Sequence, residues 1–376
     1  MLKARRKKKG KIAVIIILSV LILAAAGICI FVFNTPAYVD SAKEKTGITN
    51  PLTGEQVETL PARPLIVSTD NVGEAKPQLG ISKADIVYEV PVEGSQSRLE
   101  AIYYSEIPET VGPCRSVRSY IVDLAREYNA ILVHNGYSPQ AREYLEQGSV
   151  AYIPAQKYSF FYRTDAKPAP HDCLVDTKDV LKAAADNGWD TSVDVRAFSF
   201  MDEQEEAVLT GTQDKYLAKC EEEIKENLKW SWQKYELPDL SGIEFAANEE
   251  VSEIKVAYSG SDNVYKYLSD EGVYQKFVNG GEYADFTDGE LIKTSNLIVY
   301  RVSSSVFDHK GRLDIDMCAG GEAWVFTKGR MFECTWSKKN LDSPAVFKDK
   351  DGNEIKLAVG NTWINIIDGN SKFSYK

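Results

Sequence analysis

The chain has 376 residues, 55 acidic against 44 basic, a formal net charge of −11. Seven of the basic residues precede residue 12, so the part beyond residue 33 carries 37 basic and 55 acidic residues, a net of −18. A surface this acidic repels phosphate polymers and argues against nucleic acid or bare teichoic acid as partner. Six cysteines without a CxxC motif or a Cys/His cluster give no basis for a metal site, and no cofactor-binding fingerprint is present.

Ile12–Phe33 reads IAVIIILSVLILAAAGICIFVF, 22 residues without a charge, behind Lys3, Arg5, Arg6, Lys7, Lys8, Lys9 and Lys11. An apolar run of about 20 residues matches a bilayer core, and a cationic flank stays cytoplasmic. A cleaved signal has a core of only about 7–15 residues. Cys29 follows Ile28 rather than the small residue that lipidation needs. The expected topology is a cytoplasmic tail (1–11), an uncleaved transmembrane signal anchor (12–33), and everything after it outside the membrane. Residues 34–62, broken by Pro36, Pro51, Gly54 and Pro61, read as a tether.

Residues 63–190 predict an α/β layer domain. PLIVSTD (Pro64–Asp70), DIVYEVPV within Ile81–Val92 and RLEAIYYS (Arg98–Ser105) are strands. Apolar residues at helical spacing predict a helix over Val117–Tyr128. Ala130–His134 is a further strand, Ser138 an N-cap, and Asp176 or Thr177 the cap of a helix that Asn187-Gly188 stops. Residues 191–250 form a charged insertion or linker, with a helical pattern over Glu203–Gln233. Residues 251–371 alternate in IKVAY, VYKYL, VYQKF, LIVYRV, EAWVF, RMFECTW and TWINII, which predicts a mostly antiparallel β (α+β) domain with hairpin turns at Lys328-Gly329 and Lys350–Asn353.

Three polar clusters could carry chemistry. In GPCRSVRSY (Gly112–Tyr120), Arg115 and Arg118 are three apart at an expected helix start, which puts them on one face beside free N–H groups. The competing reading is that they pair internally with Glu89, Glu93 or Glu100. In LVHNGYS, His134 and Asn135 end a buried strand, the edge at which open α/β sheets bind ligands; a structural hydrogen bond is the alternative for His134. Arg163 and Pro170-His171-Asp172 form the third cluster. His171 could be a base, although neighbouring side chains in an extended loop point apart. Asp70, Glu89 and Glu93 could be paired as glycosidase carboxylates, without support from their spacing. No GxSxG, HExxH, Walker or dinucleotide fingerprint appears.

RPLIVSTDNVGEAKPQLGISKADIVYEVPVEG, SRLEAIYYSE, GPCRSVRSYIVDLAREYNA, LVHNGYSPQA and the later PHD resemble the N-terminal domain of the YerB-like envelope lipoproteins, a domain of unknown function. YRVSSSVFDHKGRLDIDMCAGGEAWVFTKGRMFECTWSK and SPAVFKDKDGNEIKLAVGNTWINI resemble their C-terminal domain. The resemblance covers about Gly54–Asp368 outside the charged insertion. It implies a protein on the outer face of a bacterial, Gram-positive membrane, with no established activity. This chain departs from the family in reading as transmembrane rather than lipidated. Tyr283-Ala284-Asp285 stands where the family has His before Asp, which removes support for proton transfer there. Cys114 and Cys173 stand in motifs where the family has apolar residues, which makes them a disulfide candidate beside the general expectation of free thiols.

The expected function is an extracytoplasmic binding or accessory protein of the cell envelope, assisting cell-wall synthesis or remodelling. Its partners would be the membrane and envelope proteins or an anionic, carboxylate-bearing ligand held by Arg115, Arg118, His134, Asn135, Arg163, His171 and Asp172. The alternative is a hydrolase or transferase acting on peptidoglycan or another envelope glycan.

Overall fold

The computed structural model describes residues 37–38, 47–195, 198–227 and 235–376. The expected cytoplasmic tail, the signal anchor (12–33) and residues 34–36 and 39–46 of the expected tether lie outside the described residues. Residues 47–62 do not run as an open tether: Ile48–Thr49 pairs with Gln56–Val57, Leu52 is fully buried, and Asn50 Nδ2 donates to Asp85 at 2.7 Å. No helix among the described residues is long and apolar enough to cross a membrane. The chain divides into two units, one of residues 46–202 and 244–376, the other of residues 1–45 and 203–243.

The larger unit is a mixed α/β structure, poor in helices and rich in largely antiparallel strands. Its centre is an eleven-stranded sheet. The strands β1 (Leu65–Asp70), β2 (Ile86–Pro91) and β3 (Ser97–Tyr103) are buried at every position. That explains why LIVSTD and IVYEVP show no alternation: both faces of the sheet are covered. β4 (Ile131–His134) pairs in parallel with β1, and β5 (Tyr152–Pro154) in parallel with β4, which extends this half of the sheet. Among later elements, β6 (Phe161–Arg163) and β7 (Cys173–Asp176) form a separate hairpin.

The region expected as a second domain contributes β8 (Glu253–Tyr258), β9 (Ser261–Leu268), β10 (Val273–Val278), β11 (Asn296–Arg301), β12 (Gly321–Thr327), β13 (Arg330–Ser337), β14 (Thr362–Ile367) and β15 (Lys372–Tyr375). The central sheet runs β13-β12-β11-β14-β2-β3-β1-β4-β5, and the short strands Glu249–Glu250 and Val346–Lys348 both pair with β13. β14 pairs in parallel with β2, Thr362 opposite Ile86 and Asn365 opposite Glu89. The segments 63–190 and 251–371 therefore share one sheet. β8, β9, β10 and β15 belong to a second, antiparallel sheet.

Helix α1 (Ser119–Glu127) covers one face of the central sheet: Tyr120 donates to the Pro91 carbonyl at 2.9 Å, and the Tyr88 and Tyr128 hydroxyls meet at 2.7 Å. The opposite face joins Val67, Val87, Ala101 and Val133 in one core with Val180 and Ala184 of α3 (Thr177–Asp186) and with Ile254, Val256 and Tyr265 of the second sheet. Helix α2 (Pro139–Glu146) is capped by Ser138, whose Oγ accepts the Ala141 N–H at 3.2 Å. Asp176 caps α3 through the Lys178 N–H, and Asn187-Gly188 ends it with Gly188 at φ +74°. The β12–β13 hairpin turns at Lys328-Gly329, both at positive φ (49° and 74°), as a tight two-residue turn requires.

In the smaller unit, the charged stretch expected as one helical element is two helices, α4 (Glu203–Thr210) and α5 (Gln213–Asn227). Gly211, at φ +70°, separates them. Ala207, Tyr216 and Cys220 form their shared apolar contact.

Candidate functional site

β1 and β4 run parallel and end at the same edge of the sheet, with Asp70 and His134 as their last residues. The segment Gly112–Val117 lies across that edge as a strap. Asp70 N–H donates to the Pro113 carbonyl (2.8 Å), Arg115 N–H to Ser68 (2.8 Å), Asn135 N–H to Arg115 (2.9 Å), and Val117 N–H to Gly136 (3.0 Å). Gly136 is held at φ +94°, where a Cβ would come within 2.5 Å of Ser116 Oγ, so only glycine lets the strap approach.

The strap is extended, not helical. Arg118 is the N-cap of α1, with φ −114° and ψ 164°. Arg115 and Arg118 therefore do not share a helix face, and the two part company. Arg118 turns inward, where its Nε donates to Glu93 at 3.0 Å, a second nitrogen pairs with Glu93 Oε1, and Nη1 donates to the Val117 carbonyl at 3.1 Å. Burial alone would raise the Glu93 carboxyl, but Arg118 holds it below its ordinary value. Arg118 takes the internal role, with Glu93 as its acid. Glu89 and Glu100 have other partners.

Arg115 turns the other way. Its Nε lies 3.0 Å from Asp70 Oδ2, and the same oxygen is 2.6 Å from His171 Nδ1. His171 reaches this point from the β6–β7 hairpin loop, closed by Arg163 opposite Cys173 and by Thr164 N–H on the Asp172 carbonyl at 3.0 Å. Lys167 pins the loop by donating to the Pro77 carbonyl at 2.7 Å. Asp172 pairs with Arg163, so the two acids serve different cations. Asn135 adjoins the cluster through its backbone, its N–H on the Arg115 carbonyl at 2.9 Å, while its side-chain Oδ1 accepts from Gln156 at 3.1 Å.

The layering of charge decides what this edge presents. The side chains of Asp70 and Asp172 are 4% and 9% exposed, whereas those of Arg115, His171 and Arg163 are 26%, 18% and 57% exposed. Buried carboxylates orient cationic and donor groups that face solvent. Of the residues expected at the site, Arg115, Asn135, Arg163, His171 and Asp172 come together. Arg118 and His134 do not.

His134 is fully buried, with Nδ1 2.8 Å from the Gly136 carbonyl and its ring stacked on Tyr152. Burial pushes its pKa down to about 4, so the ring is a neutral structural group. Cys114 and Cys173 are neighbours, since Cys114 N–H donates to the Cys173 carbonyl at 2.6 Å, but both are free thiols. Burial raises both pKa values. Asp285 accepts N–H groups of Gly80, Ser82 and Thr287 at 3.1, 3.0 and 2.7 Å, a structural anchorage.

Two features were not assigned from sequence. The sequence offers Asp70 only as the end of a strand and as an unsupported glycosidase carboxylate, although an acid closing an otherwise buried strand is a signal of an oriented partner. The second is a buried pair between the sheets, Glu89 and Lys276, 3.0 Å apart. Its members are 187 residues apart, and no spacing rule connects them. Glu89, Asp70 and Glu93 are each committed to different cations, which leaves no carboxylate pair of the glycosidase kind among them.

The comparisons agree with this architecture. The model of the family described as "Protein of unknown function (DUF3048)" matches with its N-terminal domain over residues 52–190 and with its C-terminal domain over residues 254–364. The chain is 31% identical over 340 residues to "Putative lipoprotein YerB" of Bacillus subtilis (strain 168), covering 88% of each protein. The crystal structure of the YerB protein from Bacillus subtilis superposes with a TM-score of 0.69 at 27% identity, covering 87% of this chain and 99% of that one. The chain is a member of the DUF3048 family, with both of its characteristic domains present.

Proposed function

We propose that this protein is a membrane-anchored, extracytoplasmic binding or accessory protein of the bacterial cell envelope, and that the Asp70–Arg115–His171 edge receives a carboxylate-bearing envelope group. The observation that carries this reading is the stacking of charge: Asp70 holds Arg115 and His171 from beneath, and the outer faces of both remain turned to solvent. A guanidinium fixed in this way is suited to a planar anion. The uncharged run 12–33 with its cationic flank supports the anchorage, and the relative named as a lipoprotein supports the envelope. Assistance to cell-wall synthesis or remodelling is the role we assign to such a module.

Muropeptides, which carry free carboxylates, are the probe. Isothermal titration should show binding to the wild-type protein, weakened at least about tenfold by Arg115→Gln, in line with a lost charge-assisted contact of about 1.5–3 kcal/mol. Binding that is absent, or indifferent to Arg115→Gln, overturns the proposal. The Asp70–His171 hydrogen bond favours one second reading, a hydrolase or transferase in which Asp70 orients His171 as the base. Release of soluble fragments from peptidoglycan that His171→Gln abolishes would establish it.

A further inference from the structure

Between the central sheet and the second sheet lies a closed triangle of amine, carboxyl and carboxamide. Lys276 of β10 places Nζ 2.8 Å from Asn263 Oδ1 of β9 and 3.0 Å from Glu89 Oε2 of β2. Glu89 Oε1 accepts from Asn263 Nδ2 at 3.0 Å, which closes the triangle. Glu89, Asn263 and Lys276 are 0%, 1% and 2% exposed. Aromatic rings wall the site: Nζ is 4.3 Å from the Trp363 ring centre and 4.5 Å from that of Tyr265, with Tyr283 at 5.8 Å. The third Nζ contact is the Tyr265 hydroxyl at 2.7 Å. The strand register brings this about, because Lys276 stands opposite Tyr265, and Asn263 is two residues along the same strand face.

We propose that Lys276 and Asn263 join in an intramolecular isopeptide bond, with Glu89 as the proton carrier and ammonium as the leaving product. The Glu89 carboxylate takes a proton from the Lys276 ammonium and leaves a neutral amine. The amine lone pair forms the Nζ–Cγ bond, and the carbonyl pair moves onto Oδ1. As the carbonyl reforms, the Cγ–Nδ2 bond breaks. Of the three ammonium protons, one stays on the new amide, and two pass through Glu89 to the departing nitrogen. Ammonium carries away the original positive charge, and Glu89 ends ionised, still held by Asn71 at 2.9 Å and Ser97 at 2.8 Å. No oxidant or cofactor is required. Burial favours the neutral amine over the ammonium and pushes the Lys276 pKa down to about 8, against the attraction of the ring faces for the charged form. A carboxyl that touches both the nucleophile and the amide is placed to serve both.

The full-length chain decides the question by intact mass and by digestion. The wild-type chain should be lighter than its sequence by one ammonia, and a digest should yield one branched peptide joining Lys276 to Asn263. Lys276→Arg and Glu89→Gln should restore the sequence mass, and Asn263→Asp should lose one water in place of ammonia. A wild-type chain of unaltered mass, with both peptides recovered separately, overturns the proposal whether or not the variants fold. A mass loss that persists in Lys276→Arg also overturns it, because cyclisation of an asparagine without Lys276 would account for it.

Discussion

Asp70 Oδ2 lies 2.6 Å from His171 Nδ1 across 101 residues of chain, while Asp172, the immediate neighbour of His171, faces Arg163 instead. Successive residues in an extended loop point to opposite sides, so a His-Asp dipeptide cannot supply its own orienting pair. The partner came from a strand end that the hairpin loop folds over. Arg115 shares the same carboxylate oxygen, which makes Asp70 the centre of the exposed edge.

The two arginines of the strap should separate in a thermal melt. Arg118→Ala takes the hydrogen-bond donor away from the half-buried Glu93, which keeps only an ion pair with Arg98 at 3.9 Å, and an expected loss of about 1–3 kcal/mol follows. Arg115→Ala leaves Asp70 with His171, so its loss should be the smaller of the two. Equal melting temperatures for the two variants would contradict this division.

His134 should give the protein an acid-sensitive stability. Its folded pKa is about 4 against an ordinary 6.5, so between these values the unfolded chain binds a proton that the folded chain refuses. Its contribution is complete above the ordinary value and is lost as pH falls to about 4, a cost of about 3 kcal/mol. Denaturant unfolding of His134→Gln at pH 7 and at acid pH should show a flatter profile than the wild type. An identical slope would mean that His134 does not stay neutral.

Glu100 should act in the opposite sense. Burial raises its pKa to about 8 from 4.5; Ser68 Oγ donates to it at 3.0 Å. The folded chain keeps a proton that the unfolded chain releases, so stability is complete below the ordinary value and declines as pH rises to about 8. Glu100→Gln removes that titration and should stabilise the protein by about 2–3 kcal/mol at pH 7, with no gain in acid. Unfolding of the variant at both pH values checks the sign.

The cysteines can be read by alkylation before and after unfolding without reductant. Cys114 and Cys173, buried with raised pKa values, should resist the reagent in the native protein, whereas the half-buried Cys318 should label. Both buried thiols should label once the chain unfolds. Persistent protection of both after unfolding would establish the disulfide instead.

The local elements were legible because each is set by neighbouring residues. The Ser138 and Asp176 caps, the Gly188 stop and the Lys328-Gly329 turn are short-range geometry written in residue type. The strand end as the place of the polar cluster was also legible, since a buried strand that runs into Asn135-Gly136 has to leave the sheet there. The helix start was less so: two residues more of extended chain at Val117 and Arg118 sent two arginines to opposite sides of the strap.

By itself, the sequence determined the family, the caps and turns, most of the strands, and Arg115, Asn135, Arg163, His171 and Asp172 of the edge, but not Asp70 at its centre. The tertiary structure alone decided that Glu93 takes Arg118, that Asp70 takes Arg115 and His171, that β14 enters the sheet beside β2, and that Lys276 meets Glu89 and Asn263. A buried charge selects its partner by proximity and desolvation in the folded core, and neither is a function of separation along the chain.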